Sequence, residues 1–233
     1  MTHDSEFSIL PQPNETTCGP TCLQALYQFY GDTVPLQKLL GEIHSFDEGG
    51  TLAVFLATHA LKRGYRATIY TYNIEIFDPT WFKEGVDLKK KLRAQDRVKK
   101  RKRLTMATRA YLNFLQLGGV VKYEPLKRNL LKDYLDRQVP ILTGLSATYL
   151  YQTSRDHPRT NKPDDIRGVP AGHFVVVYGY DTDHRRFLIA DPYVPNPFSN
   201  HQVYSVSMDR LLGSIYLGIL TYDANLLIIE PGA

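Results

Sequence analysis

The chain has 233 residues and a formal net charge of +4, with 43% hydrophobic and 22% charged residues. This composition is typical of a globular protein with a buried core, and it excludes a disordered chain, a fibrous repeat and a disulfide-rich miniprotein. We predict one domain over residues 1–233. The longest apolar stretch, 174–180, is shorter than the ~18 residues of a membrane-spanning helix, so we expect no membrane span. The N-terminus does not read as a signal peptide, which predicts a cytoplasmic protein.

The positive charge is concentrated in residues 83–109, which contain twelve Lys and Arg and three acidic residues, a net charge of +9. The rest of the chain sums to −5. We predict a basic helical insertion over 77–118, formed by one long helix or two shorter ones. It is either a solvated helix face with a thin apolar stripe or a surface that selects an acidic partner. The segment 88–103 contains no aromatic residue, which argues against nucleic-acid binding through base stacking.

In chain order, residues 1–17 are expected to be extended, because Pro11 and Pro13 restrict the backbone. A helix should begin after Thr17, which we expect to cap it, and end before Gly31. Helices dominate the first half of the chain and strands the second half, which predicts an α+β fold with the two segregated. The other predicted elements are helices at 35–40, 52–62 and 126–137, strands at 66–72, 120–123, 140–145, 203–206 and 226–229, and a hairpin of 173–180 with 187–190.

The two cysteines, Cys18 and Cys22, lie four residues apart, whereas a structural disulfide usually closes a longer loop. Cys18 lies at the predicted start of a helix, where backbone N–H groups and the helix dipole favour a thiolate. This position indicates a nucleophile, although a Cys that fills a gap in the core would give the same pattern. We interpret Cys22, one turn further along the helix, as a packing residue.

Three further residues complete a candidate catalytic group. His173 opens the first hairpin strand and Asp191 follows the second. With an odd-numbered loop or a bulge the two side chains face each other directly, and with an even loop they point to opposite faces. A carboxylate beside an imidazole fixes its tautomer and stabilises the imidazolium. Gln12, six residues before Cys18, is placed to donate a hydrogen bond to an oxyanion. A structural His173, a strand-terminating Asp191 and a solvated Gln12 are the alternatives.

The segment from Gln12 to Leu23 reads Gln-Pro-Asn-Glu-Thr-Thr-Cys-Gly-Pro-Thr-Cys-Leu and resembles the nucleophile motif of the papain-like double-glycine (bacteriocin leader) peptidases. Gly-His-Phe-Val-Val-Val-Tyr-Gly, from Gly172, resembles the histidine strand of that family, and Ala-Asp-Pro at 190–192 its aspartate strand. The resemblance implies a papain-like fold in which a helical lobe carries Cys18 and an antiparallel sheet carries His173 and Asp191. Those peptidases are usually shorter and fused to a peptide-exporting transporter, so cleavage after a double glycine does not follow.

Three functions fit these residues: a cysteine peptidase or amidohydrolase, an acyltransferase that uses the same thioester, and a catalytically silent peptide-binding domain. The presence of all four candidate residues argues against the silent domain. We expect a peptide or amide substrate, acidic if the basic segment takes part, and no cofactor. A metal site is disfavoured because two Cys four residues apart with distant His give poor zinc spacing. Within the polar stretch 148–171, we interpret Tyr149, Tyr151 and Arg155 as residues that line the cleft.

Overall fold

A computed structural model describes residues 7–45 and 50–232, so the first six residues of the predicted extended segment lie outside it. Within the described residues, short 3₁₀ turns lie at Pro79–Phe82 and Gly218–Thr221. The α-helices are α1 (Cys18–Phe29), α2 (Leu36–Glu42), α3 (Ala53–Lys62), α4 (Leu88–Val98), α5 (Lys102–Gln116), α6 (Arg128–Leu135), α7 (Ala147–Tyr151) and α8 (Met208–Leu217). The strands are β1 (Arg66–Thr71), β2 (Val120–Lys122), β3 (Ile141–Ser146), β4 (Gly172–Asp181), β5 (Arg186–Ala190), β6 (Val203–Ser207) and β7 (Asn225–Glu230).

The seven strands form one sheet in the order β2-β1-β7-β3-β4-β5-β6. β1 and β2 are parallel, and the other neighbouring strands are antiparallel. Every predicted strand is present, with each end within one residue of the prediction. The C-terminal strand β7 pairs with β1 on one side and β3 on the other, so the sheet joins both halves of the chain.

Helices cover both faces of this sheet. Helices α1 to α5 share a hydrophobic cluster with one face, which includes Phe174 and Val176 of β4. Helices α6 to α8 share a second cluster with the other face, which includes Val175 and Val177. This alternation along β4 follows from the two-residue period of a strand. The sequence predicted helices at the positions of α1 to α6. It did not predict α7 and α8, because each begins directly after a strand with no Gly or Pro to mark the change.

The start of α1 differs from the prediction in one detail. Thr17 does not cap the helix, because its hydroxyl donates to the carbonyl of Asn14 (2.9 Å) and accepts from the Asn14 amide (3.2 Å). The predicted side-chain cap is therefore wrong. The next residue after Cys18 has to be small, since a Cβ on Gly19 would lie 2.7 Å from a methyl group of Thr51 and 3.3 Å from the ring of Phe174. Gly19 thus allows the N-terminus of α1 to approach β4 closely.

The basic segment forms two helices, α4 and α5, and their buried sides join the same cluster as α1. Leu92, Leu104 and Phe114 are fully buried there. Asp87 caps α4 by accepting a hydrogen bond from the backbone N–H of Lys90 (3.0 Å). The single domain over 1–233, with a basic helical insertion at 77–118, stays a prediction. A substitution in the core that the insertion shares with α1 can test it.

We expect Leu104→Ala to lower the free energy of unfolding of the whole chain by about 2–5 kcal/mol, because it leaves a cavity in the shared core. The sole tryptophan, Trp81, lies in the insertion, so its fluorescence reports the insertion while far-ultraviolet circular dichroism reports the whole fold. Both signals should change at the same denaturant concentration in wild type and variant. The control Leu117→Ala, at an exposed position after α5, should change stability by less than about 0.5 kcal/mol. Two separate transitions would contradict the single domain.

Candidate active site

The register of the β4–β5 hairpin brings His173 and Asp191 together. The loop between the strands has four residues, 182–185, and this even number alone would place the two side chains on opposite faces. A bulge between Val177 and Gly179 adds one residue to β4 and reverses this parity. Nε2 of His173 lies 2.8 Å from Oδ1 of Asp191. The two residues are diagonal neighbours on one face, not directly opposite as predicted. Because Val176 pairs with Ala190, Asp191 lies opposite Val175, two residues after His173.

Asp191 is fully buried and accepts hydrogen bonds at both carboxylate oxygens. Besides His173, Oδ1 accepts from the backbone N–H of Tyr193 (2.9 Å). Oδ2 accepts from the hydroxyls of Tyr151 (2.5 Å) and Tyr204 (2.7 Å). Burial by itself would raise the pKa of Asp191, but the charge and hydrogen bond of His173 and the two tyrosine hydroxyls together lower it below its ordinary value. The carboxylate is therefore held in its ionised form.

His173 contacts Asp191 and lines the same cleft as Cys18. Burial by itself would lower the pKa of His173, but the charge and hydrogen bond of Asp191, with those of Cys18, raise it to about 10. Because Nε2 contacts Asp191, Nδ1 is the ring nitrogen left for Cys18. A thiol, an imidazole held in its protonated form and a buried carboxylate are thus arranged in series. Such a series can carry a thiolate–imidazolium pair.

The two cysteines have different surroundings. Cys18 is the first residue of α1 and borders a cleft, whereas Cys22 is fully buried and its thiol donates to the carbonyl of Phe174 (3.3 Å). Burial raises the pKa of Cys22 well above its ordinary value, and the charges of Cys18 and Asp191 raise it further. Cys22 is therefore held as a neutral thiol that packs α1 against β4.

Gln12 lies on the N-terminal arm next to the aspartate strand. Its backbone N–H donates to the carbonyl of Pro192 (2.8 Å), one residue after Asp191. Its side-chain oxygen Oε1 is buried and has no hydrogen-bond partner among the described residues. The arm is thereby anchored at the site, and the role of the side-chain amide stays a prediction.

The three residues predicted to line the cleft have different positions. Tyr149 and Arg155 border a groove of about 430 Å³, which shares Pro170 and Leu220 with the cleft beside Cys18. Tyr151 is buried and binds Asp191 instead. The second tyrosine on Asp191, Tyr204, was missed because nothing in the short strand β6 marks it as a functional residue.

Within residues 7–45 and 50–232, no cluster of His, Cys, Asp and Glu could hold a metal ion. No helix in the same ranges has both the length and the hydropathy needed to cross a bilayer.

Comparison with known proteins places the chain in a family. The model of the peptidase C39-like family matches residues 5–216, most of the chain. The chain belongs to this family. The predicted resemblance is thereby confirmed.

Solved structures similar to this C39-like chain include a protein from Bacillus anthracis described as a C39-like peptidase, with 14% identity, a TM-score of 0.50 and coverage of 98% of this chain and 96% of that one. They also include the peptidase domain of Streptococcus ComA, a bi-functional ABC transporter involved in quorum sensing (16% identity, TM-score 0.48, coverage 97% and 99%). Xylellain, a cysteine protease from Xylella fastidiosa, has 15% identity and a TM-score of 0.42, with coverage of 98% and 84%. No curated protein sequence matches the chain. The Bacillus anthracis structure, with its TM-score of 0.50 over nearly the whole of both chains, confirms the predicted papain-like α+β fold.

We expect Asp191→Asn in this C39-like protein to reduce kcat/KM by up to ~10⁴-fold. It should also move the alkaline limb of the pH profile to lower pH. Asp191 raises the pKa of His173, so without its charge burial dominates and the imidazolium is lost at lower pH. The measurement is kcat/KM against pH. A matched control is Asp136→Asn, whose carboxylate accepts a tyrosine hydroxyl at the surface (2.6 Å) and should leave the profile unchanged. An alkaline limb at the same pH in Asp191→Asn would contradict the role of the carboxylate.

Proposed function

We propose that this C39-like protein is a cysteine peptidase or amidohydrolase that cleaves a peptide or amide bond through Cys18, His173 and Asp191. The observation that most supports it is the position of His173 between a thiol at the start of a helix and a buried, ionised carboxylate. A histidine that only filled the core would not need both partners. Membership of a family described as peptidase-like supports the same reaction.

The reaction has two steps. The Cys18 thiolate attacks the carbonyl carbon of the substrate, and the electron pair of the C=O bond moves to oxygen. When the oxyanion collapses, the C–N bond breaks and the imidazolium of His173 gives its proton to the leaving amine, which leaves a thioester on Cys18. His173 then takes a proton from water as that water attacks the thioester. The C–S bond breaks, the acid is released and the thiolate–imidazolium pair returns. Asp191 orients the ring throughout.

Cys18→Ala should reduce amide hydrolysis to background, and Cys22→Ala is the matched control, which should retain activity if it folds. The assay uses fluorogenic peptides, with and without added amines, and mass spectrometry of the products. In wild type, iodoacetamide at neutral pH should label Cys18 first, because Cys22 is buried as a neutral thiol. Full activity in Cys18→Ala, or faster labelling of Cys22, would contradict the assignment. Products joined to the added amine would indicate an acyltransferase, and peptide binding without turnover a silent domain.

Gln12 is proposed to donate its side-chain amide to the oxyanion, together with the backbone N–H of Cys18. The anchoring of its backbone at Pro192 supports this placement. We expect Gln12→Ala to lower kcat by ~10²–10³ with little change in KM, since one oxyanion donor would be lost. Gln12→Glu, which has the same shape but no amide donor, should be equally impaired. A kcat within twofold of wild type in both variants would remove Gln12 from the mechanism.

The basic segment is proposed to select acidic peptides away from the scissile bond. Lys99 and Lys100 are exposed between α4 and α5. Replacing both with Gln should weaken the binding of an acidic peptide at low salt, with a smaller effect at high salt, and leave turnover of a small uncharged substrate unchanged. Lys38→Gln with Lys62→Gln, at exposed positions outside the segment, is the control. Equal affinity for acidic and neutral peptides would contradict this role. The cytoplasmic location and the absence of nucleic-acid binding stay predictions from the sequence.

A further inference from the structure

A cleft of about 500 Å³ opens beside Cys18 and His173, and one of its lining residues is an acid outside the candidate catalytic group. This acid is Asp223, which follows the 3₁₀ turn Gly218–Thr221 and precedes β7. Only 6% of its surface is exposed. Oδ2 accepts a hydrogen bond from the hydroxyl of Thr221 (3.1 Å), but Oδ1 has no partner among the described residues. A buried polar atom of this kind is uncommon in folded proteins and calls for a physical reason.

Two glycines provide the space that the Asp223 carboxyl group occupies. A Cβ on Gly144 of β3 would lie 2.8 Å from Oδ1 of Asp223. A Cβ on Gly172 of β4 would lie 2.8 Å from Oδ2. Neighbouring strands thus both lack a side chain at the point where the carboxyl group sits. Gly172 directly precedes His173, so this space lies immediately beside the candidate catalytic residues.

The charges near Asp223 come from α5 and β4. Arg103 of α5 stacks over the ring of Tyr222, with its guanidinium 4.6 Å from the ring centre, and donates to the carbonyl of Thr221 (3.0 Å). Burial raises the pKa of Asp223 to about 7, although the Thr221 hydrogen bond and the positive charges of Arg103 and His173 lower it. A cationic group that reaches the carboxyl would therefore bind to it in its ionised form.

The walls of the cleft indicate what kind of group this is. Phe174, Val169, Pro170 and Leu220 form an apolar part of its lining. The charged part consists of the acids Asp223 and Glu15, with Arg103 and His173 opposing them. Lysine and arginine have a long methylene stem that packs on apolar surface and a charged end that needs an acceptor. The Asp223 carboxyl group lines the cleft and has one oxygen without a partner among the described residues, and a charge-assisted hydrogen bond would satisfy this group better than a neutral donor would.

We propose that Asp223 is the base of a substrate subsite beside Cys18, and that this subsite binds a lysine or arginine side chain of the peptide near the scissile bond. The proposal rests on the proposed peptidase function. It adds a specificity determinant to that function and gives Asp223 no part in the bond cleavage.

The test compares peptide reagents that alkylate the nucleophile and differ only at one position near the reactive carbon. The side chains are arginine and citrulline, which has the same shape without the charge. At one of the positions nearest the reactive carbon, the arginine reagent should label Cys18 of the wild-type protein roughly 10–100-fold faster. Asp223→Asn should remove most of this preference. The control Glu15→Gln, an exposed acid that also lines the cleft, should keep it.

Iodoacetamide labelling of Cys18, measured in parallel, distinguishes failure of the subsite from failure of the proposed peptidase function. If iodoacetamide and the citrulline reagents label Cys18 but arginine gives no advantage at any position, the subsite is wrong and the peptidase proposal stands. If Cys18 reacts with none of the reagents and no peptide is cut, both proposals fail. Should Asp223→Asn not fold, an arginine preference that persists in Glu15→Gln supports the subsite, and the absence of a preference in the wild type overturns it.

Discussion

The buried carboxylate of Asp191 is the group on which the rest of the candidate site depends. Burial of an ionised group costs several kcal/mol of folding free energy unless hydrogen bonds satisfy its lone pairs. Here four donors satisfy it, and they come from separate segments: α7 supplies Tyr151, β4 supplies His173, the chain after β5 supplies the amide of Tyr193 and β6 supplies Tyr204. Displacement of any one of these segments would remove a donor from the buried charge. Hydrogen bonds to this one carboxylate thereby connect segments of the second half of the chain, and they orient the ring of His173 beside Cys18.

The β4–β5 hairpin shows how far a sequence can specify such a site. The apolar runs predicted both strands, and their ends predicted which residues carry the chemistry. Whether His173 and Asp191 lie on the same face of the sheet depended on the presence of a bulge. The alternation of side chains along a strand does not predict where bulges occur. The bulge residue, Tyr178, stacks on Phe7 of the N-terminal arm at 5.4 Å. The bulge thus lies at a contact between residues that are far apart in the sequence, and local patterns could state both alternatives but not choose between them.

Local patterns and long-range contacts also account for which site residues the sequence predicted and which it missed. Cys18 and Gln12 belong to one short motif, and local signals such as the helix start are strong there. Tyr204 and Asp223 belong to no motif. Tyr204 matters because β6 lies beside β5, and Asp223 because two glycines on β3 and β4 leave room for it. Such roles arise from neighbours that are distant in sequence, and only the folded chain reveals them.

The basic segment has two separate surfaces, one exposed to solvent between α4 and α5 and one that lines the cleft beside Cys18. Its charge in the sequence suggested a role away from the chemistry, and Lys99 and Lys100 are indeed exposed between α4 and α5. Arg103 is different, because it lines the cleft and holds Tyr222 and the Thr221 carbonyl next to Asp223. Loss of Arg103 would change the cleft itself, through both the position of this turn and the charge near Asp223. A study of acidic-peptide binding therefore has to leave Arg103 intact, since otherwise recruitment by the exposed lysines and recognition in the cleft would be measured as one effect.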